Sequence, residues 1–149
     1  MLPISGERLI KLIPQKFPFV LISFLIEVSD KICISKFIFD ETHVLCQDGK
    51  LTSAGLMENI AQTAAAKTGY ECYQKGKKIP VGFIGDVRDF VFTKQPKMGE
   101  EIETRIEIIH EIFDVTVIAG TITLNGEEIA SCNMKIFVEP ETKTAGQTT

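Results

Sequence analysis

The sequence predicts an α+β domain in which an antiparallel sheet surrounds one apolar helix. Three observations lead to this prediction: a long helical pattern with almost no charge, five or six segments rich in β-branched and aromatic residues, and the hairpin signal Asn125-Gly126. A helix that offers little to water must be covered by other elements, and a curled sheet covers it economically. The 149 residues suit a single domain, predicted over 1–139, with a mobile tail at 140–149.

The N-terminal third of the chain is predicted to form a short helix, a hairpin and a loop. Ser5 is expected to cap a short helix that ends before Pro14. Residues 19–28 and 31–39 are rich in Ile, Val and Phe, and the turn pair Ser29-Asp30 separates them, which predicts a hairpin. Residues 40–50 are polar and irregular, so we predict a loop that leads into the main helix.

The main helix is predicted over residues 54–68. Its N-cap is expected to be Thr52 or Ser53, and Gly69 is expected to end it. Because it has few charges and four alanines between positions 61 and 66, other backbones can approach it closely. One arc of the helical wheel carries its apolar and small residues: Leu56, Met57, Ile60, Ala61, Ala64 and Ala65.

The rest of the chain is predicted to be almost entirely strand. Four segments carry the pattern: 81–92, 101–109, 113–124 and 128–139. Turn signals lie at 96–99, near His110 and at Asn125-Gly126. The last three strands should therefore form an antiparallel meander.

Charge and hydropathy narrow the classes of function. A net charge of −4, a pI near 5.2 and the lack of a long basic stripe argue against a nucleic-acid partner. The apolar stretch 17–28 contains Pro18 and is shorter than the roughly 20 residues that span a bilayer, so we predict no membrane segment. The N-terminus lacks the pattern of a signal peptide.

The cysteine pattern favours reduced thiols and a cytoplasmic protein. The four cysteines form no Cys-x-x-Cys pair and lie singly among apolar residues: Cys33, Cys46, Cys72 and Cys132. His43, Cys46 and Asp48 share one loop, but three mixed ligands in one short loop are a weak zinc pattern. We predict neither a metal site nor a cofactor.

Glu58 is the best candidate for chemistry. It lies at the margin of the apolar arc beside Ala61 and Ala65, and its neighbours Asn59 and Gln62 are uncharged. A carboxyl group in such surroundings loses solvation and is suited to hold a proton near neutral pH, as a general acid must. The alternative is a carboxylate placed in the first turns to complement the helix dipole.

His43 lies in the loop ahead of this helix, fifteen residues before Glu58. Loop and helix could bring imidazole and carboxylate to one cavity, whereas His110 is expected in a strand connection. The alternative for His43 is an ordinary solvated loop histidine.

Four sequence strings resemble, in the right order, those of the bacterial 3-hydroxyacyl-acyl carrier protein dehydratases. Residues 12–22 (LIPQKFPFVLI) are similar to the Pro-His-Arg-Tyr-Pro-Phe-Leu-Leu run that precedes the family's first strand. His43 and residues 56–62 (LMENIAQ) are similar to its histidine loop and Glu-Ala-Met-Ala-Gln helix. Residues 82–90 (GFIGDVRDF) and 96–100 (PKMGE) resemble its Phe-x-Gly-Ile-Asp-x-x-Arg-Phe strand and Pro-Gly-Asp turn.

The resemblance implies the hotdog fold, in which a curved antiparallel sheet wraps a central helix and two protomers join their sheets edge to edge. A homodimer is therefore expected, with a higher homo-oligomer or a heterodimer with a paralogue as alternatives. The family's His-Phe-Pro-Gly loop is here residues 43–46 (HVLC), Gln15 stands where a histidine is common, and Ser23 where an aspartate is found. The chain is thus closer to an outlying branch, of the sort found in polyene pigment clusters.

The resemblance also implies a reaction. The protein would remove water from a 3-hydroxyacyl thioester on acyl carrier protein or coenzyme A, giving the trans-2-enoyl thioester in fatty-acid or polyene-type chain synthesis. His43 would take the proton next to the thioester carbonyl, and Glu58 would hold or deliver the proton that lets the hydroxyl leave. Gln62 and Phe83 are expected to line the acyl tunnel or the helix beside it.

Negative charge that develops on the thioester oxygen needs hydrogen-bond donors. The backbone N–H groups of Ala54, Gly55 and Leu56 begin the helix and are the expected donors, with Gly55 letting the substrate approach.

Two alternatives remain open. In an acyl-thioester hydrolase of the same fold, Glu58 would activate water and the histidine would be dispensable. In a non-catalytic subunit, the chain would pair with an active dehydratase and lend it only surface or part of a tunnel.

Overall fold

The structure is a computed structural model that describes residues 1–38, 40 and 43–139. The predicted tail at 140–149 lies outside the described residues. Two helices and nine strands follow in the order β1 (Ile4–Ser5), α1 (Gly6–Ile10), β2 (Phe24–Val28), β3 (Ile32–Ile38), β4 (Cys46–Gln47), β5 (Lys50–Leu51), α2 (Ser53–Gln74), β6 (Gly82–Phe92), β7 (Glu101–Ile112), β8 (Val115–Leu124) and β9 (Glu127–Val138).

Seven of the strands form one antiparallel sheet in the order β1-β2-β3-β7-β8-β9-β6, and α2 packs against it. The predicted α+β class is therefore confirmed. β3 pairs with β7 from Ile32↔Glu107 to Ile38↔Glu101, so the chain forms α2 and β6 before it returns to the middle of the sheet. β6 lies at one edge and pairs with β9.

The turns of the meander agree with the prediction at one end and differ at the other. Asn125 and Gly126 both have positive φ, at 51° and 81°, which is the backbone of the predicted two-residue hairpin. The predicted break near His110 is wrong, because His110 lies inside β7 at a bulge that follows Ile108. The chain turns instead after β7, where Phe113 has φ 54°.

The first predicted strand is shorter than expected, since β2 begins at Phe24. The backbone before it bonds side chains of α2 instead of a neighbouring strand: Leu21 N donates to Gln62 Oε1 over 2.7 Å, and Asn59 Nδ2 donates to Leu21 O over 2.7 Å. Ser5 occupies the N-cap position of α1, but its side chain makes no capping bond.

Helix α2 begins as predicted and ends later. Thr52 is the N-cap, and its Oγ1 accepts a bond of 3.1 Å from Gly55 N. The prediction that Gly69 ends the helix is wrong, because α2 continues to Gln74. A Cβ at Gly69 would lie 1.8 Å from Leu12 O, so the glycine admits the backbone that follows α1.

One face of α2 is polar although it is fully buried. Asn59 Oδ1 accepts a bond from Thr104 Oγ1 of β7, and the hydroxyls of Thr63 and Ser35 of β3 lie 2.7 Å apart. Because unpaired buried polar groups are costly, these bonds favour one position of the helix over the sheet. They place the opposite side of the helix, with Glu58, toward a cavity.

Within the described ranges, no helix is long and apolar enough to cross a membrane, and no group of three or more potential metal ligands occurs. All four cysteines are free thiols.

Candidate active site

Glu58 lies in the second turn of α2, half-buried, with its carboxylate bound by two amide groups. Gln62 Nε2 donates to Glu58 Oε2 over 2.9 Å from one turn later on the helix. Gln15 Nε2, from the segment after α1, lies 3.5 Å from the same oxygen. Both amides therefore bond the same carboxylate oxygen, Oε2.

The Glu58 carboxylate borders a cavity of about 280 Å³ between α2 and the end of the sheet formed by β6, β7, β8 and β9. The helix contributes small side chains to it, so the space along α2 is open. The lining residues are Gln15, Glu58, Ala61, Ala64, Ala65, Lys67, Thr68, Pro80, Gly82, Phe83, Ile84, Ile108, Glu111, Thr116, Ile136 and Val138. Phe83 is one of the residues on the wall of this cavity.

Gln62 bonds Glu58 from within the core of the domain. Its side chain is fully buried, and it does not belong to the cavity wall. Its Oε1 accepts from Leu21 N, and its Nε2 donates to Phe19 O over 2.8 Å as well as to Glu58. Gln62 therefore joins the Glu58 carboxylate to the backbone of residues 19–21.

Both ring nitrogens of His43 bond the backbone of its own chain. Nδ1 accepts from Leu45 N over 3.0 Å, so Nε2 carries the hydrogen and donates to Val20 O over 2.9 Å. Burial lowers the pKa of His43 below its ordinary value, and this effect outweighs the Val20 bond and the nearby Asp40 carboxylate, which both raise it. The ring packs edge-on against Phe37 with centroids 5.9 Å apart. His43 is thus held neutral at pH 7.

Within one chain, His43 and Glu58 border different cavities. The second cavity, of about 260 Å³, lies beside α1 and is mostly apolar: Gly6, Leu9, Ile10, Phe17, Pro18, Val20, Ile22, Ser23, Phe37, Ile38, Asp40 and His43 line it. The structure does not bring the predicted pair together on a single chain.

The start of α2 is occupied by its own capping bonds. Gly55 N bonds Thr52 Oγ1, and Leu56 N bonds Thr52 O over 3.0 Å. A Cβ at Gly55 would lie 2.6 Å from Leu51 Cδ1, so the glycine makes room for β5. Of the three expected oxyanion donors, Gly55 and Leu56 are committed to the cap, and Ala54 is exposed.

Sequence reasoning missed two polar residues of the Glu58 cavity. Gln15 was noted only for standing in place of a histidine. Lys67 is buried, although its Nζ forms an ion pair of 2.9 Å with Glu71 one turn later. A Lys–Glu pair at this spacing is typical of a solvated helix face, so the pattern alone gave no signal of burial.

A model of the ApeP-like family, described as ApeP dehydratase, matches residues 7–147. Among solved structures, a chain of "The Dehydratase Heterocomplex ApeI:P from Xenorhabdus doucetiae" is similar with a TM-score of 0.83 and 18% identity, covering 95% of this chain and 93% of that one. No curated protein sequence matches.

Two further solved structures share the fold at lower similarity. A hypothetical thioesterase from Streptococcus pneumoniae TIGR4, with coenzyme A, has a TM-score of 0.60 and 15% identity over 77% of this chain and 84% of that one. The protein smu.793 from Streptococcus mutans UA159, bound to acetyl CoA, has a TM-score of 0.63 and 12% identity over 87% and 97%. The predicted hotdog fold is confirmed by these similarities.

Proposed function

Because the chain belongs to the ApeP-like dehydratase family, we propose that it takes part in removing water from a 3-hydroxyacyl thioester to give the trans-2-enoyl thioester. The observation that carries the proposal is Glu58, a helix carboxylate held through one oxygen by Gln62 and Gln15 on the wall of an open cavity. An acyl chain laid along the small residues of α2 would bring its 3-hydroxyl to the remaining carboxylate oxygen.

The reaction needs one base and one acid. In the proposal, His43 takes a proton from C2 of the substrate, and protonated Glu58 gives its proton to the 3-hydroxyl oxygen as the C3–O bond breaks. A C2–C3 double bond forms and water leaves. Positioned acid and base groups of this kind typically give rate factors of about 10² to 10⁴.

The two groups of one site would come from two chains. His43 and Glu58 border separate cavities of one chain, and the Glu58 cavity opens beside β6, an edge strand with exposed Phe83 and Ile84. A second hotdog chain docked along this edge would bring its own histidine loop toward Glu58. The second chain is either another copy or a paralogue, and the similarity to a chain of the ApeI:P heterocomplex favours the paralogue.

The substrate is proposed to be carried by acyl carrier protein or coenzyme A. A thioester on a pantetheine arm is common to both carriers, and the names of two structural neighbours mention coenzyme A or acetyl CoA. A polyene-type acyl chain is proposed because the sequence resembles an outlying branch of the dehydratases, of the sort found in polyene pigment clusters.

A second candidate is a subunit that supplies Glu58 but no working histidine. It is favoured by the two backbone bonds of His43, because the Nδ1 lone pair that would accept the substrate proton already bonds Leu45 N. In this case only the partner's histidine would act, and each heterodimer would hold one active site.

The test is an assay of the purified chain, alone and with a hotdog paralogue, on 3-hydroxyoctanoyl pantetheine. Enoyl product is expected, with a loss of at least about 100-fold in Glu58→Gln. Equal loss in His43→Asn supports the first candidate, and full activity of His43→Asn with the paralogue supports the second.

Matched controls are Glu101→Gln and His110→Asn, both on β7 and exposed. Unchanged turnover in Glu58→Gln, or free thiol release without enoyl product, contradicts the proposal, and the second result indicates a hydrolase.

A further inference from the structure

Gln15 carries a buried hydrogen-bond acceptor that has no partner. Among the residues that the structure describes, one buried side-chain oxygen or nitrogen atom has no hydrogen-bond partner, and it is Gln15 Oε1. Gln15 also belongs to the wall of the Glu58 cavity. Because an unpaired buried acceptor costs free energy, such an atom calls for an explanation, and a ligand that donates a hydrogen bond is one.

The orientation of the amide follows from its neighbour. Gln15 Nε2 faces Glu58 Oε2 at 3.5 Å, and that oxygen also accepts from Gln62. Because Gln62 Nε2 donates to Oε2, this oxygen is an acceptor and a proton on the carboxyl group would sit on Oε1. If the Gln15 amide were turned by half a rotation, its oxygen would face this acceptor, which is repulsive. Glu58 Oε2 therefore holds Nε2 toward itself and Oε1 away from itself.

We propose that Gln15 Oε1 binds the 3-hydroxyl group of the substrate by accepting its hydrogen. The inference rests on the proposed dehydration and adds a substrate-binding residue to it. The acyl part of a 3-hydroxyacyl thioester holds a single hydrogen-bond donor, the 3-hydroxyl, because its carbonyl oxygen and sulfur only accept. An unpaired acceptor beside the carboxylate matches that donor.

This contact also orients the leaving group. With its hydrogen directed to Gln15, the hydroxyl turns a lone pair toward Glu58, which delivers the second hydrogen as the C3–O bond breaks. The water that forms holds one hydrogen from the substrate and one from Glu58. The enoyl product has no donor in its acyl part, so Gln15 favours the hydroxyacyl thioester over its product.

The experiment compares binding of two pantetheine thioesters that cannot dehydrate. Both 2,2-dimethyl-3-hydroxyoctanoyl pantetheine and 2,2-dimethyloctanoyl pantetheine lack a hydrogen at C2, and they differ only in the hydroxyl. Wild type, in its active assembly, is expected to bind the hydroxyl compound about three- to tenfold more tightly by titration calorimetry. In Gln15→Met, a variant of similar size, this preference should be clearly reduced, because only the contact of the hydroxyl with Glu58 remains.

The ratio of the two affinities separates this role from a structural one. Loss of the Gln15–Glu58 contact alone would change both affinities together and leave their ratio as in wild type. Gln15→Asn draws the amide back by one methylene and should also reduce the ratio, so it decides the matter if Gln15→Met does not fold. No hydroxyl preference in wild type, or an undiminished preference in the variants, overturns the inference.

Failure of the inference differs from failure of the proposed function. If the chain is not a dehydratase, wild type forms no enoyl product from 3-hydroxyoctanoyl pantetheine. If only the role of Gln15 is wrong, wild type forms the product and Gln15→Met keeps the hydroxyl preference.

Discussion

Gln62 donates a hydrogen bond of 2.9 Å to the carboxylate of Glu58, one helical turn before it. The same amide bonds the backbone of residues 19–21, so one buried side chain connects the candidate acid to the segment that precedes β2.

Replacement of Gln62 by Met should therefore affect both stability and activity. The variant leaves Leu21 N without its partner, and an unpaired buried group of this kind costs about 1–3 kcal/mol. Activity on a 3-hydroxyacyl thioester should fall about 10- to 100-fold, because Glu58 loses its main hydrogen bond. Denaturant unfolding and turnover measure the two effects. Gln74→Met, at the exposed end of α2, is the control and should match wild type in both.

Gly69→Ala should destabilise the fold although alanine favours a helix. The gain in helix propensity is about 1 kcal/mol, but the new Cβ would meet the backbone oxygen of Leu12, which cannot rotate away. We expect a net loss of about 1–3 kcal/mol in the free energy of unfolding. Gly55→Ala is the matched control, because its Cβ would meet the side chain of Leu51 at 2.6 Å and a backbone oxygen, that of Leu45, only at 3.3 Å, so it should cost less. Equal stability of the two variants would contradict the close contact at Gly69.

His43 should make the folded state less stable in mild acid. Its pKa is lowered by burial, whereas in the unfolded chain it returns to about 6.5. Between the two values the unfolded chain binds more protons, so stability rises with pH in that window and is lost as pH falls below about 6.5. Denaturant unfolding from pH 7.5 to 5 measures this slope. His43→Gln should have a shallower slope, and the carboxylates common to both proteins cancel in the comparison. Identical slopes would contradict the burial of His43.

Two of the four thiols should resist alkylation in the native protein. Burial raises the pKa of Cys33 to about 12 and that of Cys132 to about 11, so little thiolate is present at pH 8. Iodoacetamide should modify Cys46 and Cys72 first and reach Cys33 and Cys132 only after unfolding. Mass spectrometry of peptides from native and denatured samples measures the order. Rapid native labelling of Cys33 would contradict its place beneath α2.

Local signals in the sequence predicted most of the fold. Alternating β-branched residues located the strands, and Asn125-Gly126 specified its hairpin because that dipeptide tolerates positive φ at both positions. The prediction failed at Gly69, whose role depends on contact with Leu12, far away in the sequence. The predicted start of β2 was also wrong. The backbone of Leu21 bonds the side-chain amides of Asn59 and Gln62 there, and not a neighbouring strand.

The candidate site was predicted only in part. Glu58 could be found because a carboxylate beside alanines on an apolar helix breaks the expected pattern. Gln15 could not be placed, since its contact with Glu58 arises when an irregular segment packs across the helix. The sequence also did not predict that His43 and Glu58 border different cavities, because this depends on how the loop with His43 packs beside α2.

β9 is the last described strand to be synthesised, and it lies between β8 and β6. β6 has its pairing partner in β9, so while the ribosome is still making β8 the apolar side chains of Phe83 and Ile84 have no sheet to join. A nascent chain halted at this stage carries Glu58 on a finished helix with one wall of the cavity absent. The cavity proposed to hold the acyl chain is therefore completed only after β9 has emerged, when β6 joins the sheet.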